Sequence, residues 1–308
     1  MPPLYPEPAP VAPDTQDRAA PRPAPGELDL PGLQVRHLRT AAEYDACVAL
    51  QDETWGAQFN ERVPAAILKV SQRVGGVTAG AFDRDDRLIG FVFGLTGVER
   101  GDLVHWSDML AVRPEFRDHG IGRHLKEFQR EAVSRLGVVR MYWTFDPLVA
   151  RNAHLNLNRL GVRIAEYIPD MYGRETSSTL HRGIGSDRFV ANWAIREASP
   201  VRSADRMAGF AGAHEAPVLN RPDASGMPAT PDAVIAHVNG LCRVAIPLDI
   251  EAVQRSALAT AAHWRATTRQ ALQWGLRHSY AVRGFYRDDA AGYGYYVLST
   301  TLLPEGES

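Results

Sequence analysis

Residues 113–124 read RPEFRDHGIGRH, with Gly120 and Gly122 one residue apart, Arg117 before them and Arg123 after. The preceding stretch, DLVHWSDMLAV, has the make-up of a strand. After it, Ile121, Leu125, Phe128, Ala132 and Leu136 recur at steps of four and three, an amphipathic helix stopped by Gly137. The glycines therefore stand where a strand end turns into a helix start. First-turn N–H groups there lack partners and carry partial positive charge, which makes the loop an anion site. Glycine lets backbone approach a phosphate closely and adopt positive φ, and Arg117 and Arg123 add charge-assisted hydrogen bonds.

Working outward, QVRHL reads as a strand and AAEYDACVALQDETWG as a helix, with Tyr44, Cys47, Val48, Gln51 and Trp55 at helical spacing and Gly56 as its stop. GGVTAGAFDRDDRLIGFVFGLTGV gives two strands around the turn DRDD, so three successive strands imply an antiparallel meander. Past the loop helix, VVRMYWTFD is a strand, and strand, helix, strand is a crossover with a parallel pair. ARNAHLNLNRLG is a short helix closed by Gly161, and VRIAEYI and DRFVANWAI are strands. The fold class is α/β (α+β), a mixed sheet with helices on it. Residues 1–32 are a proline-rich arm without apolar period, expected disordered. Residues 33–198 form the main domain, 199–232 a linker or long loop, and 233–308 a strand-helix-hairpin extension. In that extension GLCRVAIP is a strand. Ile250, Val253, Ala257, Ala261, Trp264, Thr268 and Ala271 are one stripe of a single long helix, and YAVRGFY and GYYVLST close a hairpin. The tail is either a small second domain or an extension of the first sheet. Its helix, with Trp264, Trp274, Arg265 and Arg269, suits a core stripe, a cover for the site or a homodimer interface.

The 308 residues, 45% hydrophobic, carry a formal charge of −2, which disfavours nucleic acid and anionic membrane as partners. Lysine occurs only at Lys69 and Lys126; arginine supplies the remaining positive charge. Two cysteines, Cys47 and Cys242, are too few for a disulfide framework and suit a reducing cytoplasm, with Cys47 a small core residue. The opening has no basic and apolar leader pattern, and LIGFVFGL is far short of a membrane span. Ten histidines show no HExxH or dense ligand spacing, so no metal is expected, and no Gly-x-Ser-x-Gly elbow occurs.

A nucleoside triphosphate, a dinucleotide or coenzyme A would each bring a phosphate to the glycine loop. A P-loop needs Gly-Lys-Ser/Thr where this chain has Gly122, Arg123 and His124. A dinucleotide loop needs a small residue where Leu125 stands and repeated strand-helix units around it. The pattern Arg117-x-x-Gly120-x-Gly122, between DMLAV and an amphipathic helix, resembles the coenzyme A loop of the GNAT acyltransferase superfamily, and the element order from about Leu33 to Ile195 resembles its fold. TFDPLVARNAHLNLNRLG followed by LHRGIGSDRFVANW is similar to a subgroup of GNAT-like proteins linked to N-acylamino acid metabolism.

The resemblance implies an acetyl-CoA or succinyl-CoA donor and a small-molecule amine acceptor, an amino acid among the candidates. It implies that strands on either side of the loop splay, with pantetheine between them. Leu110, Ala111, Val112, Arg117, His119, Gly120, Ile121, Gly122, Arg123 and Asn152 would then contact the cofactor, with Leu110 and Val112 offering backbone groups. Asp108 lies near the family's usual general base, which amine acylation needs because an ammonium must lose a proton before it attacks. His105 and Ser107 are weaker candidates. Asn152, Asn156 and Arg159 share a polar helix face opposite Ala153, Leu157 and Leu160. Many members place a tyrosine, the general acid, where this chain has Leu157; Tyr167, Tyr172 or water would replace it, or the thiolate would leave unassisted. His181, Arg182 and Arg188 suit bidentate binding of a substrate carboxylate. Without the usual acid, a non-catalytic acyl-CoA-binding module is the alternative; a nicotinamide enzyme rests on glycine spacing alone.

Overall fold

Val77–Phe82 and the first seven residues of Leu88–Glu99 are buried on both faces, so they read as continuous apolar runs rather than as alternation. They are β2 and β3 of a seven-stranded sheet, seen in a computed structural model that describes residues 32–173, 183–195, 212–230 and 240–300. The other strands are β1 (Gln34–His37), β4 (Asp102–Val112), β5 (Arg140–Phe145), β6 (Arg163–Ile168) and β7 (Arg188–Ala194). Their order is β1-β2-β3-β4-β5-β7-β6, antiparallel except for β4 beside β5. This is the mixed sheet expected from the sequence, with the meander, the crossover and the splay in place.

On one face lie α1 (Ala41–Trp55) and α2 (Ala65–Arg73) over Leu38, Leu88, Phe91, Phe93, Met109 and Ala111. Thr40 and Glu43 start α1 with a reciprocal capping box. The nine-residue α2 went unread in the sequence, being short and preceded by Pro64 with no capping side chain. On the other face α3 (Ile121–Ser134) packs Ile121, Leu125 and Val133 into the larger core.

Two irregularities shape the middle of the sheet. Opposite β3, Met109 pairs with Phe93 and Ser107 with Gly94, leaving Asp108 as an extra residue, a β-bulge. The faces invert there: His105 and Ser107 bond residues of α3, whereas Met109 and Ala111 join the core under α1 and α2. Second, β4 pairs with β5 only from Val104↔Arg140 to Trp106↔Tyr142; beyond that, β5 pairs with β7 alone and the strands part.

The C-terminal segment forms its own sheet, β8 (Leu241–Pro247), β10 (Tyr293–Ser299) and β9 (Ala281–Asp288), in that order. Val244, Ile246, Trp264, Phe285 and Tyr296 nevertheless share one continuous core with Phe145, Phe189 and Trp193. The Tyr296 hydroxyl donates to the Pro147 carbonyl at 2.7 Å. The single long helix expected over 250–271 is two, α5 (Ile250–Ser256) and α6 (Leu258–Arg277), because Ala257 is extended (φ −153°, ψ 93°). The break lets Ile250 and Glu251 reach the cleft described below while Ala261 and Trp264 turn into the core. Within the 199–232 segment, residues 212–230 are described. There buried Asn220 donates to and accepts from the Ala245 backbone at 2.9 and 2.8 Å, holding the segment along β8.

Candidate active site

The parting of β4 from β5 opens a cleft of ≈ 650 Å³. Ser107–Val112 form one wall and Trp143–Asp146 the other. The N-terminus of α3 closes one end, with Arg117, Asp118, Gly120, Ile121, Gly122 and Arg123 on the lining. Gly120 caps α3 with φ 76°, ψ −4°, the left-handed region that favours glycine. At Gly122 a Cβ would meet only Leu110 Cδ2 at 3.6 Å and Leu155 Cδ2 at 3.8 Å, so the fold does not need a glycine there, and the space beside its backbone opens to the cleft. Arg117 Nε donates to the Val112 carbonyl at 3.2 Å, and Arg123 pairs with Glu127 at 2.8 Å. His119 is not on the lining; its ring Nδ1 donates to the Arg117 carbonyl at 2.7 Å.

Along the opposite rim, Ala150–Ala153 form α4, which passes into a π-helical turn, His154–Arg159. Wide turns of this kind shift which residues face a site. Asn152, Leu155, Asn156 and Arg159 line the cleft, and Asn156, read as part of a polar helix face, is buried and accepts from Trp143 Nε1 at 2.9 Å. Leu157 instead packs in the core.

At the bulge Asp108 lines the cleft, exposed to solvent yet closely surrounded by protein, and that desolvation holds its carboxyl above the ordinary range against a lowering hydrogen bond with Trp106. His105 is not on the lining. Its Nδ1 lies 2.9 Å from Thr96 Oγ1, which donates to Gly75 O, and its Nε2 is 3.0 Å from Gln129 Nε2. That pattern suits the neutral ring, and burial pushes its pKa down to about 3. Across the cleft the Tyr172 hydroxyl is 3.1 Å from Thr144 Oγ1 and its ring lies 5.1 Å from Arg188 Cζ. Tyr167 is elsewhere, donating to Asp187 inside the core.

Arg188 reaches the cleft from β7, 8% exposed, and burial lowers its pKa against the pull of Asp146. Asp146 accepts both arms of Arg265 at 2.8 and 2.6 Å and lies 3.6 Å from Arg188. His181 and Arg182 lie outside the described residues. Sequence reading missed the end of α1 and the α1–α2 connection, whose Trp55, Phe59 and Glu61 wall the cleft, along with Lys126 and Trp143. It also missed Glu251 and Arg287, which the C-terminal segment brings to the rim. Apart from Lys126, one turn into the loop helix, none of these stands near the glycine motif in sequence, and only the apolar spacing of Trp55 carried a signal. Among the described residues no cluster of three or more His, Cys, Asp and Glu is placed to hold a metal, and no helix is long and apolar enough to cross a membrane.

Residues 44–161 match the model of the Acetyltransferase (GNAT) family, a stretch that runs from α1 through the glycine loop to the end of the π-helical turn. Among solved structures, the chain is similar to the NatC complex bound to Gag peptide and CoA (19% identity, covering 53% of this chain and 98% of that one, TM-score 0.42). It is also similar to yncA from Salmonella typhimurium with its cofactor acetyl-CoA (16%, 55% and 98%, 0.42). A third is an aminoglycoside 6'-N-acetyltransferase complexed with coenzyme A (14%, 54% and 98%, 0.41). No curated protein matches the sequence.

Proposed function

We propose that the protein is an acyl-CoA-dependent N-acyltransferase that transfers an acetyl or succinyl group to the amine of a small molecule, with an amino acid as acceptor class. The observation that carries this reading is the continuity of the β4–β5 split with the α3 N-terminus. An anion seated on the first-turn N–H groups beside Arg117 and Arg123 would have its attached chain directed between the parted strands.

In this reading the pyrophosphate sits on Ile121, Gly122 and Arg123, and the pantetheine chain runs along Leu110–Val112, with Asn152 on the facing rim. The amine enters between Asp108 and the Trp55–Glu61 connection. Asp108, with its raised pKa, takes a proton from the ammonium, and the free amine attacks the thioester carbonyl directly. Backbone N–H groups of residues 109–112 hold the oxyanion. Tyr172 donates to the departing sulfur, a modest demand because a thiol of pKa about 8.5 leaves readily as thiolate. Arg188 receives the carboxylate of an amino acid or of a succinyl group, which supports placement among enzymes of N-acylamino acid metabolism. The buried free thiols Cys47 and Cys242 suit a reducing compartment.

The core position of Leu157 favours one second reading, an acyl-CoA-binding module without turnover. A thermal-shift panel with coenzyme A, acetyl-CoA, succinyl-CoA, NADH and ATP tests the site. A ligand at ~100 times its dissociation constant adds about 2.7 kcal/mol to the folded state. Stabilisation by thioesters that Gly122→Trp abolishes is expected; a shift by NADH alone, or by nothing, would refute it. A thiol-release screen over amino acids then separates turnover from binding.

A further inference from the structure

We propose that Lys126 is an internal acyl acceptor, its ε-amine taking the acyl group from a thioester bound in the β4–β5 split. The inference rests on the reading of that cleft as an acyl-CoA site. Lys126 projects from α3 to the end of the split where the strands still meet. Its Nζ lies 2.7 Å from Ser107 Oγ on β4 and 3.9 Å from the centre of the Trp143 ring on β5. All three residues line the cleft, and Lys126 itself is 4% exposed. From Val112 beside the glycine loop back to Ser107 the strand covers roughly 17 Å. An extended pantetheine chain anchored at the loop can lie along that length and bring its thioester to this end.

Burial holds the amine far below the usual lysine range, and among the described residues no neighbouring carboxylate raises it. A buried ammonium without a carboxylate beside it is costly, so burial favours the free amine with its lone pair, with only the Trp143 ring to favour the cation. Desolvated lysines of this kind are nucleophiles. In the step, Nζ attacks the thioester carbonyl carbon, the N–C bond forms and the C–S bond breaks. Sulfur leaves with the electron pair and the proton lost by nitrogen ends on the thiol, giving Nε-acyl-Lys126 and free coenzyme A. No further reactant is needed. The product amide is neutral and occupies the split, so modification stops at one acyl group per chain.

The chain holds a built-in control, because its other lysine, Lys69, is exposed on α2. The purified protein is incubated with acetyl-CoA and analysed by intact mass and peptide mapping. The expected result is a single hydroxylamine-resistant acetyl group on Lys126, none on Lys69, and loss of the label in Lys126→Arg and in Gly122→Trp. Three results would overturn the proposal while leaving the cleft reading intact: acetyl-CoA raises the melting temperature yet Lys126 stays free, only Lys69 is labelled, or the label is hydroxylamine-labile and maps to Ser107. Absence of any shift with acetyl-CoA would instead remove the cleft reading, and this proposal with it. Because the decisive measurement uses the unsubstituted chain, a folding defect in either variant does not blunt it.

Discussion

In the proposed site, Gly122 would be set by the ligand rather than by the fold. Its Cβ position is open, and in a helix alanine is better than glycine by up to about 1 kcal/mol. Gly122→Ala is therefore expected to melt at the same or a higher temperature while losing affinity for acetyl-CoA, measured by calorimetric titration. His105 makes a prediction in pH. Its folded-state pKa of about 3 lies below the unfolded value near 6.5, so as pH falls below 6.5 the unfolded chain takes up a proton that the folded chain refuses. The stability tied to this ring is fully present above that pH and is lost between 6.5 and 3. Between pH 7 and pH 4 the loss is on the order of 3 kcal/mol. Denaturant titrations at the two pH values should show a smaller difference in His105→Gln than in the parent.

At the scale of elements, the bulge at Asp108 decides which β4 side chains meet α3 and which meet α1 and α2. Deleting Asp108 would leave Ser107 and Met109 adjacent and facing opposite sides as they do now, with the pairs to Gly94 and Phe93 unchanged, so the deleted chain should still fold cooperatively by circular dichroism while losing the carboxylate at the cleft. Asp108→Asn keeps the bulge; it should keep the melting temperature and acetyl-CoA binding but lose acyl transfer by at least tenfold. Strands, turns and the loop helix were legible because period two, period 3.6 and glycine stops are local signals. The bulge was not, since it is defined by register against β3. Nor was the break at Ala257, since the apolar spacing on its two sides continues in phase and only the separate destinations of α5 and α6 require it.

Across the whole molecule, α6 ties the two sheets together: Arg265 grips Asp146 at the cleft floor and Arg269 holds Asp170 and Asp187. Removing one partner of a buried pair costs about 3–5 kcal/mol when the other charge is left stranded, and less here because Arg188 stays 3.6 Å from Asp146. Arg265→Met should lower the denaturant midpoint accordingly, and because the core is continuous, unfolding should remain a single transition by fluorescence and by far-UV signal. The choice between a separate tail domain and an extension was open in the sequence; the packed structure shows a second sheet sharing the first one's core. By itself the sequence determined most of the element order, all but α2 and the break at Ala257, and marked the glycine loop as a candidate anion site, because backbone preference and apolar period act over a few neighbours. Only the tertiary structure decided the bulge, the π-turn that places Asn156 inside, the meeting of Lys126 with Ser107, and the supply of Arg265 from a distant helix. Those depend on which distant surfaces exclude water together, and no short-range pattern encodes that.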